Sequence, residues 1–477
     1  MITGLAKEFG ISRPFIYSLL NTFKEESAHL FFPKKTPDSI SREAVEARIL
    51  SYRFEGRSSI DAISTLLKRD SMPLSAHGFV SEYLTHVGKT LPNSIENEKG
   101  AVQFVAFAND EVFAKSQPIL ITVDPVSSAI LRIELTDKRT AEKWSNHYQC
   151  LLNNGFMPDL LTSDAGVAIC AANKETLKDI PWQLDTFHSV AHRLGLWDRK
   201  LEKAIDTATL YAADREKTLD SAKSDAVIEK RLNGCCDAED AIKEAQGLHH
   251  DFHYLYLEII HQLNSFDSRG ELRKRKEAEE TIEAALDLLE SLDYKAIKKD
   301  ITSVRNALPD FLSYFATAEK AVKNCQNLSD NKDALSALYL AWQWDKAVIK
   351  SKDIPRKHKA IEQRDLHLEL TQILVENEEE YLSLKQTVYG ELDQIIQASS
   401  MVECINSLLR PYLNNSRNQV TQGFLNTFMF YHNHRRYHAG KRKNKTPMEI
   451  LTGKEQKEDW IDLLLAKVKK QESLLLV

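Results

Sequence analysis

The chain has 477 residues, 43% hydrophobic and 28% charged, with a formal net charge of −6. That balance is expected of a soluble globular protein of roughly two to four domains, and it excludes a uniformly basic protein that coats nucleic acid. A local cationic surface stays compatible with it, because binding follows the field at the site and not the total charge.

No apolar run reaches the roughly 18 residues of a membrane span. The segment Met1-Ile-Thr-Gly-Leu-Ala-Lys-Glu8 has no apolar signal-peptide region. Six cysteines in helix-type surroundings read as reduced thiols. The expectation is a cytoplasmic protein without membrane association.

Residues 1–90 read as a helix-turn-helix region. Ala6, Gly10 and Ile16 fall where that motif needs a small residue, a turn glycine and an apolar residue. Ser12 can cap the second helix, and Pro14 is tolerated in its first turn. Ser12, Arg13 and Tyr17, at the start of that helix, are candidate DNA contacts. A second helical unit follows over 41–90, with helices predicted from Ser41 to Phe54, Ser59 to Arg69 and Ser75 to Val87. Leu91 to Lys99 reads as a linker.

The pattern changes at Ala101. Strands are predicted at Val102–Phe107, Pro118–Val123 and Ala129–Leu135, then a helix at Thr140–Asn153. Short strands follow at Leu160–Thr162 and Trp182–Leu184. This order predicts a mixed α/β sheet, with 101–190 as the first part of the core. Residues 191–390 are helical and heavily charged, interrupted by Pro309 and Pro355, and read as a long all-α insertion. Its apolar period does not sustain the heptads of a coiled coil. Residues 391–452 return to the core, and 453–477 form an amphipathic tail.

Three acids stand out by position. Asp110 lies at the end of the first strand, Asp164 ends the fourth, and Glu403 sits on a late helix. From Cys404 to Met448 the chain carries no further carboxylate, while Arg410, Arg417, Arg435, Arg436, Lys441, Arg442, Lys443 and Lys445 are all cationic. Solvated faces usually mix charge signs, so this run reads as a phosphate-gripping surface, with His432, His434 and His438 interleaved. Converging carboxylates suit divalent ions that assist phosphoryl transfer.

Asp124 competes for the role of first acid, but a turn before Pro125 accounts for it. Glu111 should point to the opposite side of the strand from Asp110. Cys235-Cys236 lack the usual zinc-ligand gap, and His249, His250 and His253 read as helix-face residues. Trp342 and Trp344 could stack on a flipped base, although helix packing is the simpler reading.

Taken together, Asp110-Glu-Val-Phe113, Val123-Asp-Pro-Val-Ser127, Lys138-Arg-Thr140, Thr162-Ser-Asp-Ala-Gly166, Leu184-Asp-Thr-Phe-His188, Ser400-Met-Val-Glu-Cys-Ile-Asn406, Phe430-Tyr-His-Asn-His-Arg435 and Lys445-Thr-Pro-Met-Glu449 resemble the DDE transposases of bacterial insertion sequences. The resemblance spans nearly the whole chain. It implies a multidomain, α-rich protein with N-terminal helix-turn-helix units and an RNase H-like core interrupted by the helical insertion. It implies that Asp110, Asp164 and Glu403 hold two Mg²⁺ or Mn²⁺ ions, with His188 near the scissile phosphate. The implied partners are double-stranded DNA, as element ends and target, and further copies of the chain in a dimer or larger nucleoid-associated assembly. Two other readings are a sequence-specific DNA-binding regulator that has lost catalysis, and an RNase H-like nuclease that does not join strands.

Overall fold

A computed structural model describes residues 2–31, 40–98, 100–292 and 294–475. Met1 and Lys99, which bound the expected helical region and linker, and the last two residues of the expected tail lie outside the described residues. The chain divides into two compact units, Met1–His86 with Ile461–Val477, and Val87–Trp460.

In the first unit, α1 (Ile2–Glu8) and α2 (Arg13–Phe31) meet at a turn whose Gly10 has φ +64°. Ser12 caps α2, its hydroxyl accepting the Phe15 N–H at 3.3 Å. α3 (Arg42–Phe54) and α4 (Ile60–Arg69) each start at a serine, Ser41 and Ser59, whose side chain accepts a first-turn N–H. α5 (His77–Thr90) follows, its part up to His86 belonging to this unit. Ile16, Val45, Ile49, Leu50, Phe54, Ile63, Leu67, Val80 and Tyr83 are buried. The segment read as a separate tail forms α19 (Trp460–Leu475), whose part from Ile461 onward belongs to this unit, with Leu464, Leu465 and Val468 buried.

The second unit is built on one mixed five-stranded sheet of order β3-β2-β1-β4-β5. The strands are β1 (Gln103–Ala114), β2 (Gln117–Val123), β3 (Ile130–Leu135), β4 (Phe156–Ser163) and β5 (Trp182–Leu184). β1 to β3 form antiparallel hairpins, whereas β4 and β5 run parallel to β1. Two strands are longer than expected. β1 continues past Asp110 into its hairpin, because Asp110 to Ala114 pair with β2 after β4 has ended. β4 starts at Phe156, and a register shift between Val105 and Ala106 accommodates the irregular stretch around Pro158.

Alternation along β1 sorts the two faces. Val105 and Phe107 join Trp144, Tyr148 and Leu151 of α6 (Ala141–Asn153) and Ile169 and Ala172 of α7 (Val167–Thr176) in one core. Ala106, Ala108 and Asp110 belong to the other face. The insertion begins with a π-helical turn, Phe187–His192. It continues through α8 (Arg193–Asp220), α9 (Asp225–Gln262), α10 (Arg275–Ser291), α11 (Lys298–Phe311), α12 (Tyr314–Gln326), α13 (Lys332–Lys350), α14 (Ile354–Val375) and α15 (Glu378–Leu392). Pro309 lies inside α11 instead of interrupting the helices, and Pro355 opens α14, where its missing N–H costs nothing. The insertion is not a separate bead. Its core includes Leu184 of β5, and the Gln183 amide donates to Phe311 O at 2.8 Å while its oxygen accepts the Tyr314 N–H at 2.6 Å.

The chain then returns through α16 (Ser400–Asn415) and α17 (Gln422–His434). α17 covers the outer edge of β3. Asn433 exchanges hydrogen bonds with both backbone groups of Ile130, and Gln422 accepts from Leu135 N and donates to Ile133 O. Open strand edges template unwanted pairing, and side-chain amides blunt this one. α18 (Pro447–Thr452) closes the unit with a capping box between Thr446 and Glu449.

Candidate active site

Asp110 and Asp164 stand at corresponding places on neighbouring strands. Asn109 pairs with Ser163, and each acid is the next residue. Asp110 lies where β1 outruns β4, and it is half-buried. Its Oδ1 accepts the Glu111 N–H at 2.8 Å, and its Oδ2 accepts from the Asn406 side chain at 2.7 Å. Burial pushes its pKa up to about 6; the Glu111 N–H bond opposes this, and the nearby charges of Asp164, Glu403 and Glu111 reinforce it.

Asp164 closes a tight turn, its Oδ1 accepting the Gly166 N–H at 2.9 Å. A Cβ on Gly166 would sit 2.9 Å from that same oxygen, so the turn has room only for glycine unless the carboxylate swings away.

Glu403 lies in the first turn of α16, one turn ahead of Asn406 on the same helix face. α16 therefore delivers an amide to Asp110 and an acid to His188. Glu403 pairs with His188 Nε2. Burial pulls the His188 pKa down, but the hydrogen bond to Glu403 and the charges of Asp185, Glu403 and Asp164 outweigh it, and the net shift is upward. Asp164 and Glu403 thus act electrostatically on both Asp110 and His188, although the four come from β1, β4, α16 and the π-helical turn.

Asp185 was legible in the sequence only as part of a motif. It is 1% exposed, accepts the His188 N–H at 3.0 Å, and accepts both the N–H and the hydroxyl of Ser399 at 2.7 and 2.6 Å. Asn406 was not singled out, although its spacing from Glu403 was the available signal. Its Oδ1 is buried without a partner while its NH₂ holds Asp110.

The rivals separate. Asp124 accepts the Ser127 N–H at 2.8 Å and shapes the turn after β2. Glu111 pairs with Arg139 at 2.6 Å. Trp342 is buried in the insertion core, its indole N–H on Asp393, so packing accounts for it; Trp344 is half-buried on the same helix. Cys235 and Cys236 lie on α9 well over three turns before His249 and His253, and those histidines converge on Asp198 of α8. Among the described residues, Asp198, His249 and His253 are the group of acids, histidines or cysteines whose ligand atoms all lie within 4.8 Å of one another, and they could hold a metal ion. The carboxylates of Asp110, Asp164 and Glu403 do not form so tight a group, each being turned toward its own hydrogen-bond donor.

The basic segment divides likewise. Arg436 binds Glu449 and Asn444 O, Arg442 donates to Pro125 O and Val126 O, and Lys441 pairs with Asp393 at 2.7 Å. Arg435 lies over the rings of Tyr431 and Tyr437. His432 is buried against Ser128 O, and burial pushes its pKa down to about 3, which removes it from any phosphate-gripping surface. His434 is bonded to Gln456, whereas His438 is exposed. Lys443, Arg410 and Arg417 are exposed, as are Ser12, Arg13 and Tyr17 in the first unit.

No helix among the described residues is long and apolar enough to cross a membrane. No protein-family model matches the chain, and no curated protein matches it.

Proposed function

We propose that the acid cluster performs metal-dependent phosphodiester chemistry on DNA, in the manner of a DDE transposase built on an RNase H-like core. The observation that carries this reading is that Asp164, at the end of β4, and Glu403, on the helix that follows a helical insertion of about two hundred residues, both lie within electrostatic reach of Asp110 where β1 outruns β4. The donor set is chemically right for magnesium or manganese: hard carboxylate oxygens, one of them an acid whose burial disfavours its charge, beside the unpartnered Asn406 oxygen. Asp110 and Asp164 would hold one ion and Glu403 would help hold a second. When bound, such ions neutralise the phosphate and align the attacking and leaving oxygens of an in-line displacement.

The chain's own residues do the rest. Asn406 orients Asp110, and Gly166 orients Asp164. Asp185 joins the His188 turn to the head of α16, so that His188 and Glu403 are placed together. His188, its pKa shifted upward by the Glu403 hydrogen bond and the neighbouring carboxylate charges, would donate a proton to a phosphate oxygen or a leaving group. In the first step water attacks phosphorus, the P–O3′ bond breaks, and a free 3′-OH leaves. In the second step that 3′-OH attacks a target phosphorus, a new ester forms, and a target 3′-OH is released. The first unit would contact element ends through Ser12, Arg13 and Tyr17, with Lys443, Arg410 and Arg417 binding phosphates of double-stranded DNA. Joining two ends requires at least a dimer on DNA.

The test is strand cleavage and joining by the purified full chain with Mg²⁺ or Mn²⁺, on duplexes carrying the DNA that flanks its gene. Asp110→Asn and Asp164→Asn should abolish both steps while circular dichroism shows the fold retained. Normal joining by either variant would overturn the assignment. DNA binding without products would favour the regulator, and cleavage without covalent joining the nuclease.

A further inference from the structure

The insertion carries a second constellation, remote in character from the acid cluster. On α9, His249 and His253 stand one turn apart on a single face. Opposite them on α8 is Asp198. Its Oδ1 lies 2.9 Å from His253 Nδ1 and 3.4 Å from His249 Nε2, so both imidazoles aim at one oxygen. All three are half-buried.

The two helices are held close there. A Cβ on Gly195 would meet the Tyr256 hydroxyl at 2.9 Å, and Tyr256 donates to Ala191 O at 3.2 Å. α8 is fixed from its other side, where Arg193 and the Trp197 indole both donate to Asp300, at 2.8 and 2.7 Å. The three ligand atoms are therefore presented by rigid elements.

We infer that Asp198, His249 and His253 form a binding site for one transition-metal cation of the zinc class, which staples α8 to α9 near the start of the insertion. Ligands about 2.0–2.1 Å from a tetrahedral zinc lie about 3.4 Å from each other. The His249–Asp198 separation already matches, and the His253–Asp198 separation needs to open by a few tenths of an ångström. Two imidazoles with one carboxylate select zinc, cobalt or nickel over magnesium, which prefers an all-oxygen octahedron. Three protein ligands leave a position for water. A metal here would brace the first turns of α8, which continue directly from the π-helical turn that carries His188.

The experiment uses the full chain, stripped with chelator and dialysed, then given Zn²⁺ alone and assayed for bound zinc and melting temperature. Co²⁺ in its place should give the visible absorption of a low-symmetry site. The wild-type chain should bind one more equivalent of zinc than His249→Ala/His253→Ala, and its melting temperature should rise with zinc where that of the double variant does not. Asp198→Asn, which keeps hydrogen-bonding capacity toward both histidines, should weaken binding at least tenfold. Asp110→Asn/Asp164→Asn should retain the equivalent, which separates this site from the acid cluster. Zinc uptake unaltered in both the His249→Ala/His253→Ala and Asp198→Asn variants, or no uptake by the wild type at micromolar zinc, would overturn the inference.

Discussion

The carboxylate of Asp185 takes both the backbone N–H and the hydroxyl of Ser399, 214 residues later in the chain. Thr186 repeats the connection one residue on, its N–H and hydroxyl both donating to Gln397 O at 3.0 and 2.9 Å. The entry to the helical insertion and its exit are thereby zipped together, and the head of α16 is set beside the His188 turn.

Removing Asp185 should loosen that junction. Asp185→Ala leaves the buried Ser399 N–H without its acceptor, a loss of about 2–4 kcal/mol by comparison with other hydrogen bonds to charged groups. Asp185→Asn keeps one acceptor oxygen and should lose about half as much. Denaturant unfolding measures both, and equal stability of Asp185→Ala and the wild type would refute the junction's role.

Asp110 makes the site sensitive to pH. Its folded-state pKa of about 6 lies above the ordinary carboxylate value. Well below pH 4 the group is protonated in both states and contributes nothing. Between pH 4 and 6 the folded chain keeps a proton that the unfolded chain has lost, so stability falls as pH rises. Above about 6 the whole penalty is present, on the order of 2–3 kcal/mol. Asp110→Asn should therefore melt higher than the wild type at pH 7.5 in chelator, with the difference vanishing toward about pH 3. A lower melting temperature for Asp110→Asn at pH 7.5 would contradict the cause assigned here.

Gly166→Ala tests whether the Asp164 carboxylate must stay where its turn holds it. The added methyl meets a side-chain oxygen and not backbone, so the fold should survive with a change of less than about 1 kcal/mol. The carboxylate has to rotate off the Gly166 N–H, and strand joining should drop at least tenfold. Unchanged joining rates in the alanine variant would show that the position tolerates movement.

Cations of the basic segment should separate by what they already hold. Lys443→Ala should leave melting unchanged and reduce the salt dependence of DNA binding by about one ion. Arg436→Ala should lower the melting temperature, because Arg436 ties Glu449 to the loop before α18. Salt titrations of DNA binding beside melts of the two variants decide this, and the reverse pattern would reject it.

Much of the architecture could be read locally. Ser41, Ser59 and Thr140 announce helix starts because their hydroxyls cap N–H groups a turn away. Asp164 stands at a strand end as its turn residues indicate, whereas Asp110, expected at the end of the first strand, lies within β1 because the strand runs on into its hairpin with β2. Asn406 was in view but unassigned, since nothing in its neighbourhood says that α16 lies against β1. The basic run read as one cationic surface because a sequence displays charges without their partners. Asp393, Glu449 and the carbonyls of Pro125 and Val126 take up several of them only after folding.

The sequence by itself determined the strand order along the chain, several helix starts and the long helical stretch between β5 and α16. Those features depend on contacts within a few residues or on simple periodicity. The tertiary structure alone decided that Asp185 grips Ser399, that His188 meets Glu403, and that His249 and His253 turn to Asp198 and away from the cysteines. Each of these pairs joins residues distant in the chain, and such meetings are set by how helices pack on the sheet and on one another, which no local pattern encodes.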